Sequence, residues 1–306
     1  MRAARCALRP SSGRPVRASG SEVIRLDAAT VLLQWAVGGL LFGWMTTRRR
    51  EVSLGYGWLL RATYGLMAVG AVVTGVRYGE AVPVRDVAGA GVALGALAAL
   101  VVSVQRRKAG VAGEREREEA RSARVTAMTG IDRQRTERDA DAPEFPPYLD
   151  LIAPAIGLGG LVAAGIAAGD PAALSVARVV VGAAFLGSVT DAMLLGHWYL
   201  VQPGMPRGPL LELVRWVAII WPFEVVVLLW PTGMGSVITG TIDDGYNGIL
   251  GWMWIACAIT TIVLVGVTRA ALKERQYSAV MAATGLLYLA ILTAFGTDLV
   301  ARAVLA

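Results

Sequence analysis

The sequence predicts an all-α fold: a polytopic integral membrane bundle of about eight transmembrane helices. Three observations predict it. Hydrophobic residues make up 55% of the 306 positions and the mean hydropathy is +0.56. Eight apolar runs come close to the roughly 20 residues that a bilayer-spanning helix needs. The basic residues gather in alternate connections between those runs, as they do in a chain sorted by the positive-inside rule.

The runs lie at about 29–46, 53–76, 85–105, 149–168, 172–200, 209–230, 247–268 and 277–301. Inside hydrocarbon every backbone N–H and C=O must be paired within its own segment, so each run is read as a helix. The chain then divides into four parts. Residues 1–28 form a basic N-terminal tail, expected to be disordered from its Arg, Ser, Gly and Pro content. Residues 29–105 hold helices one to three, 106–147 form a charged loop, and 148–306 hold helices four to eight, in one bundle with the first three.

The net charge of +6 reads as a topology signal. Arg48, Arg49 and Arg50 follow the first run, ten basic residues lie in 106–147, Arg207 follows the fifth run, and Arg269, Lys273 and Arg275 follow the seventh. The opposite connections hold Arg77, with Arg85 at the edge of the third run, and also carry Asp243 and Asp244. The first set, including 106–147, is therefore expected in the cytoplasm and both termini outside, in a plasma membrane. The basic tail alone argues the other way.

The loop 106–147 balances ten basic against nine acidic residues and reads as a partly helical, solvated linker. Nothing interleaves aromatic with basic residues, so no nucleic-acid partner is expected. The expected surroundings are the lipid bilayer and membrane partner subunits. Cys6 and Cys257 are the two cysteines and form no CxxC, so disulfide, zinc and c-type haem readings have no support. A single histidine excludes a bis-histidine haem. No metal site is expected, and GxSxG, HExxH and P-loop motifs are absent. Asp243-Asp244-Gly-Tyr-Asn-Gly248 is too short for an EF-hand loop and reads as a turn. Gly39-xxx-Gly43, Gly91-xxx-Gly95 and Gly165-xxx-Gly169 read as sites of close helix packing.

The candidate functional residues are the ionisable ones inside apolar runs. Each costs about 2.5–3.5 kcal/mol at a helix centre on insertion scales, so each should face the bundle interior and find a partner. Topology sorts them into two layers. Arg61, Asp191, His197, Glu212 and Arg215 fall toward the cytoplasmic side, with Trp198 and Tyr199 beside His197 at headgroup level. Arg178, Glu224, Asp298 and Arg302 fall toward the outer side as intramembrane charge pairs. Glu212 and Arg215 are i,i+3, Asp298 and Arg302 are i,i+4, and Trp58 and Arg61 are i,i+3, which permits a cation–π contact. Asp191 and His197 lie about 120° apart on a straight helix. Pro222 is expected to kink its helix beside Glu224.

Three functions fit these residues. In the first, the cytoplasmic layer binds a lipophilic, proton-exchanging molecule such as a quinone, with His197, Trp198, Tyr199, Asp191, Arg61, Glu212 and Arg215 around it. Quinone is then the one cofactor to expect. In the second, the two charge layers gate a proton-coupled small-solute transporter. In the third, the pairs serve packing alone in a structural or assembly factor. No residue is assigned a catalytic role.

Overall fold

The computed structural model describes residues 27–129, 142–169, 171–202, 205–274 and 276–305. The tail expected over 1–28 lies outside the described residues up to position 26, as does 130–141 of the charged loop.

Eight long helices run alternately up and down: α1 (Ala28–Thr47), α2 (Leu54–Tyr78), α3 (Pro83–Gln105), α5 (Ile152–Ala168), α6 (Ala172–Val201), α7 (Gly208–Leu229), α9 (Ile249–Lys273) and α10 (Tyr277–Leu305). Between them lie α4 (Ala112–Thr129) in the charged connection and a single turn, α8 (Met234–Ile238). A short 3-10 turn, Pro147–Leu151, leads into α5. No strand occurs among the described residues. Seven of the eight long helices are long and apolar enough to cross a membrane. The eighth, α7, carries Glu212, Arg215 and Glu224 within its 22 residues. It stays helical through Pro222.

The helices start and stop where side chains can satisfy loose backbone groups. Asp27 caps α1, accepting from the N–H of Ala29 and Thr30 at 3.2 Å each. The same carboxylate pairs with Arg85, which also contacts Asp86 at 2.9 Å. The basic residue at the edge of α3 is thereby neutralised on a side otherwise poor in cations. At the same end of the bundle, Asp244 caps α9. It accepts from the N–H of Gly248 (2.8 Å), Tyr246 (2.9 Å) and Leu250 (2.9 Å). The Asp243–Gly248 segment is thus a capping turn.

α1 and α6 form the middle of the bundle and are its most enclosed apolar helices. α6 touches α1, α5, α7 and α10. Glycine makes the α1–α6 crossing close: a Cβ at Gly38 would overlap the Ala183 carbonyl, and one at Gly187 would sit 2.6 Å from Gly38 Cα. The three small-residue motifs also lie at helix crossings. Gly39 meets the Tyr64 ring and Gly43 meets Leu60 on α2, Gly91 and Gly95 meet Ile156 and Ala153 on α5, and Gly165 meets Val176 on α6.

The described parts of the charged connection include the helix α4 and are tied to the bundle at two points. Glu144 takes Arg50 at 2.7 Å and Arg115 at 2.6 Å, and its carbonyl accepts from Arg106 at 2.9 Å. Gly113 N–H donates to the Arg50 carbonyl at 3.2 Å. The start of α4 is therefore tied to the α1–α2 turn.

Candidate functional site

The residues assigned to the cytoplasmic layer separate into four places. Arg61 grips Asp150, with Nε–Oδ1 and Nη2–Oδ2 both at 2.7 Å. Ser103 Oγ lies 3.3 Å from Nη1, and the guanidinium sits 4.3 Å from the centre of the Phe145 ring. Both charged groups are buried. Arg61 therefore belongs to Asp150 rather than to Asp191. Its cation–π partner is Phe145, while Trp58 donates to Ser103 Oγ at 2.9 Å.

Asp191 is fully buried about two thirds of the way along α6. The Tyr64 hydroxyl donates to Oδ1, and the Tyr56 hydroxyl donates to its backbone carbonyl at 3.3 Å. Oδ2 has no hydrogen-bond partner, and no cation pairs with this carboxylate among the described residues. A narrow cleft of about 10 Å³, lined by Gly43, Trp44, Leu60, Arg61 and Asp150 among others, runs close by. A Cβ at Gly43 would lie 3.6 Å from Asp191 Oδ2. A second cleft of about 30 Å³ shares Thr47, Gly57 and Arg61 with the first and extends to Arg50 and Glu144.

Glu212 is taken by Arg48 and Arg49, each at 3.0 Å. The i,i+3 spacing to Arg215 permitted a pair, but two arginines from the α1–α2 turn reach Glu212 instead. Arg215 is left exposed. His197, Trp198 and Tyr199 do not line one pocket, because successive helical residues point about 100° apart. His197 is exposed on the outside of the bundle, its Nδ1 3.2 Å from the Tyr288 hydroxyl. Trp198 Nε1 donates to Ser53 Oγ at 3.0 Å, and the buried Tyr199 hydroxyl donates to the Pro206 carbonyl.

The residues of the opposite layer lie closer to one another. Arg178 on α6 donates to the carbonyls of Val227 and Thr232, both at 2.7 Å. It thus serves the carbonyls that the end of α7 leaves open. Asp298 and Arg302 on α10 form a 2.8 Å ion pair with both side chains fully buried. Glu224 on α7 is fully buried beside that pair, within electrostatic reach of Asp298, Arg302 and Arg178. Neither of its carboxylate oxygens accepts a hydrogen bond.

Sequence reasoning missed a fifth member of this layer. Gln34 on α1 is fully buried, and neither its amide oxygen nor its nitrogen is bonded. It approaches Asp298 and Arg302 across Gly182, where a Cβ would overlap Gln34 Nε2 and lie 3.0 Å from Asp298 Oδ1 and 3.4 Å from Arg302 Nη2. The missing side chain at Gly182 makes room for α1 and α10 to bring polar groups together against α6. Asp298 Oδ1 and both Arg302 Nη atoms also lack hydrogen-bond partners. Each buried polar group left unbonded costs about 1–3 kcal/mol. So many in one place mark a site at which stability is given up.

Among the described residues no group of three His, Cys, Asp or Glu side chains could hold a metal ion. Comparison with protein families, with curated proteins and with solved structures gives no match for this chain.

Proposed function

We propose that this chain is an integral plasma-membrane protein that couples proton binding at buried carboxylates to movement of a small solute. The observation that carries the reading is Glu224: a fully buried carboxylate, both oxygens unbonded, placed against the Asp298–Arg302 pair. Two neighbouring buried acids do not both ionise without large cost. A proton held between them supplies the bond that Glu224 otherwise lacks. Such a proton can be gained and lost, which is what a coupled carrier requires.

Asp191 is the second carboxylate of the proposal. It lies nine residues from Gly182 along α6, about 14 Å at 1.5 Å per residue. The clefts at Arg61–Asp150 lead toward it from the end that carries α4. In this reading that end faces the cytoplasm, with 106–147, and both termini face outward. The cleft near Asp191 leaves about 10 Å³, room for about one water, so passage of a solute needs the helices to move.

The test uses purified protein reconstituted into liposomes holding a pH-sensitive dye. An imposed pH gradient should drive proton flux above that of protein-free liposomes. Glu224→Gln should abolish it, and His197→Ala should leave it unchanged. Infrared difference spectra between two pH values should show a protonated-carboxyl band that Glu224→Gln removes. Absence of both flux and band in the wild type would overturn the proposal.

A second reading keeps one observation in its favour. His197 and Tyr288 place a ring nitrogen and a hydroxyl 3.2 Å apart on the outer surface of the bundle, where a lipophilic proton-exchanging molecule such as a quinone has direct access. Mild extraction of the purified protein and mass spectrometry for stoichiometric quinone decides it.

A further inference from the structure

We propose that the groove between the first half of α7 and the last turns of α9 binds the phosphate-bearing headgroup of an anionic membrane lipid. The inference rests on the proposal that the chain spans a membrane, and names a ligand for a surface apart from the buried acids. The open groove has a volume of about 530 Å³ and is lined by Arg49, Arg215, Arg269 and Lys273. Helical spacing aims these cations at one another's space. Arg269 and Lys273 are i,i+4 on α9, and Arg215 shares a face of α7 with Leu211 and Ile219 at i−4 and i+4.

The charge is not balanced from within. Glu212 is the one acid lining the groove, and it is already engaged by Arg48 and Arg49. Arg215, Arg269 and Lys273 are exposed and form no ion pair among the described residues. Like charges gathered around one hollow repel, and an anion held among them removes that cost. The rest of the lining is apolar: Leu211, Trp216 and Ile219. Trp216 sits against Phe42, ring centres 6.4 Å apart.

A tie between the helices sets the groove's depth. Trp221 Nε1 donates to the Ala258 carbonyl at 2.9 Å, joining α7 to α9 beyond the hollow. At the polar end Arg207 donates to the carbonyls of Leu272 (3.3 Å) and Gln276 (2.9 Å). The hollow is therefore charged toward the helix ends and apolar toward the bundle middle, the polarity of a lipid entering from the side. Basic pockets between helices at headgroup level suit anionic headgroups. A zwitterionic headgroup fits less well, because its own ammonium cancels the phosphate.

The experiment is native mass spectrometry of the protein purified in mild detergent with equal amounts of phosphatidylglycerol and phosphatidylcholine. Wild type should retain phosphatidylglycerol preferentially. Arg215→Gln/Arg269→Gln should weaken that retention about 25-fold, at about fivefold per charge removed. Arg106→Gln/Lys108→Gln, which removes two cations outside the groove, should leave it unchanged. If the first double variant does not fold, the exposed Lys273→Gln gives the same readout with one step. Added inorganic phosphate should displace no lipid; displacement would assign the site to a free anion and overturn the lipid. Equal retention by wild type and groove variants, or no preference in the wild type, would also overturn the inference while leaving the membrane reading intact. A wild type that stays soluble without detergent and carries no lipid would overturn the membrane reading itself.

Discussion

Breaking the Arg61–Asp150 pair should be costly, and the two ways of breaking it should differ. Removing one partner of a buried ion pair costs about 3–5 kcal/mol, because the other charge is left uncompensated. Asp150→Ala leaves Arg61 with Ser103 at 3.3 Å and with the Phe145 face at 4.3 Å. It also leaves the guanidinium on a cleft that opens toward Arg50 and Glu144. Its cost should fall near the lower end, about 3 kcal/mol. Arg61→Leu leaves the Asp150 carboxylate with only the Thr47 hydroxyl, at a long 3.4 Å. That cost should approach about 5 kcal/mol. The double variant Arg61→Leu/Asp150→Leu should recover about 1–3 kcal/mol relative to the sum of the singles. Arg61→Leu with Asp191→Asn should instead be additive within about 0.5 kcal/mol, since the two side chains share no partner. The assay is equilibrium unfolding in mixed micelles at increasing denaturing detergent. Additivity of the Arg61 and Asp150 variants, or strong coupling of Arg61 to Asp191, would refute the pairing.

Three further outcomes are expected. Gly187→Ala should destabilise by about 1–3 kcal/mol through overpacking at the α1–α6 crossing, whereas Gly159→Ala, with nothing within 4 Å, should not; the same unfolding assay reads both. The Gly248 N–H, followed by those of Tyr246 and Leu250, holds the Asp244 carboxyl below the ordinary carboxylate range. Its contribution to the start of α9 should thus be complete above that ordinary range and be lost as pH falls through the lowered value. Hydrogen exchange of the amides of residues 246–251 should show that pH dependence in wild type and not in Asp244→Asn. Finally, in a variant lacking Cys6 and Cys257, single cysteines placed in 106–147 should react only with reagents that reach the cytoplasm, and one at position 243 only from outside; the reverse pattern would invert the proposed topology.

The helices were legible because lipid permits so few backbone solutions. An apolar run of sufficient length has to be a helix, and even α7, with three charges, declares itself by what surrounds them. Partners were harder to read, since spacing states which residues can meet along one helix and is silent across helices. Asp298 and Arg302 share a helix and a face. Glu212 and Arg215 share them too, yet Glu212 is claimed by Arg48 and Arg49 from the next turn of chain. Asp150 sits at the edge of the fourth apolar run, where an acid passes for part of a loop. Its position level with Arg61 was the available signal. Gln34 carries no charge and so escaped a search for charges, although a lone amide amid Val31-Leu-Leu and Trp35-Ala-Val37 was visible. His197 drew attention by being the sole histidine, but the apolar positions around it do not disclose which face of α6 turns outward.

The crossing of Gly38 and Gly187 lies on α6 between the two levels of buried acid, five residues from Gly182 and four from Asp191. At that height the partition is built from main chain on main chain. A side-chain plug can swing aside by changing rotamer, at the speed and energy of a torsion. A plug made of backbone has no rotamer to change. Passage between the levels then demands that α1 and α6 part as whole bodies. Such a movement also shifts Gln34 away from Gly182 and Gly43 away from Asp191, because both pairs ride on α1 and α6. If the chain carries protons as proposed, the surroundings of both buried acids are therefore linked through the one α1–α6 contact: parting these helices disturbs the two levels in the same stroke.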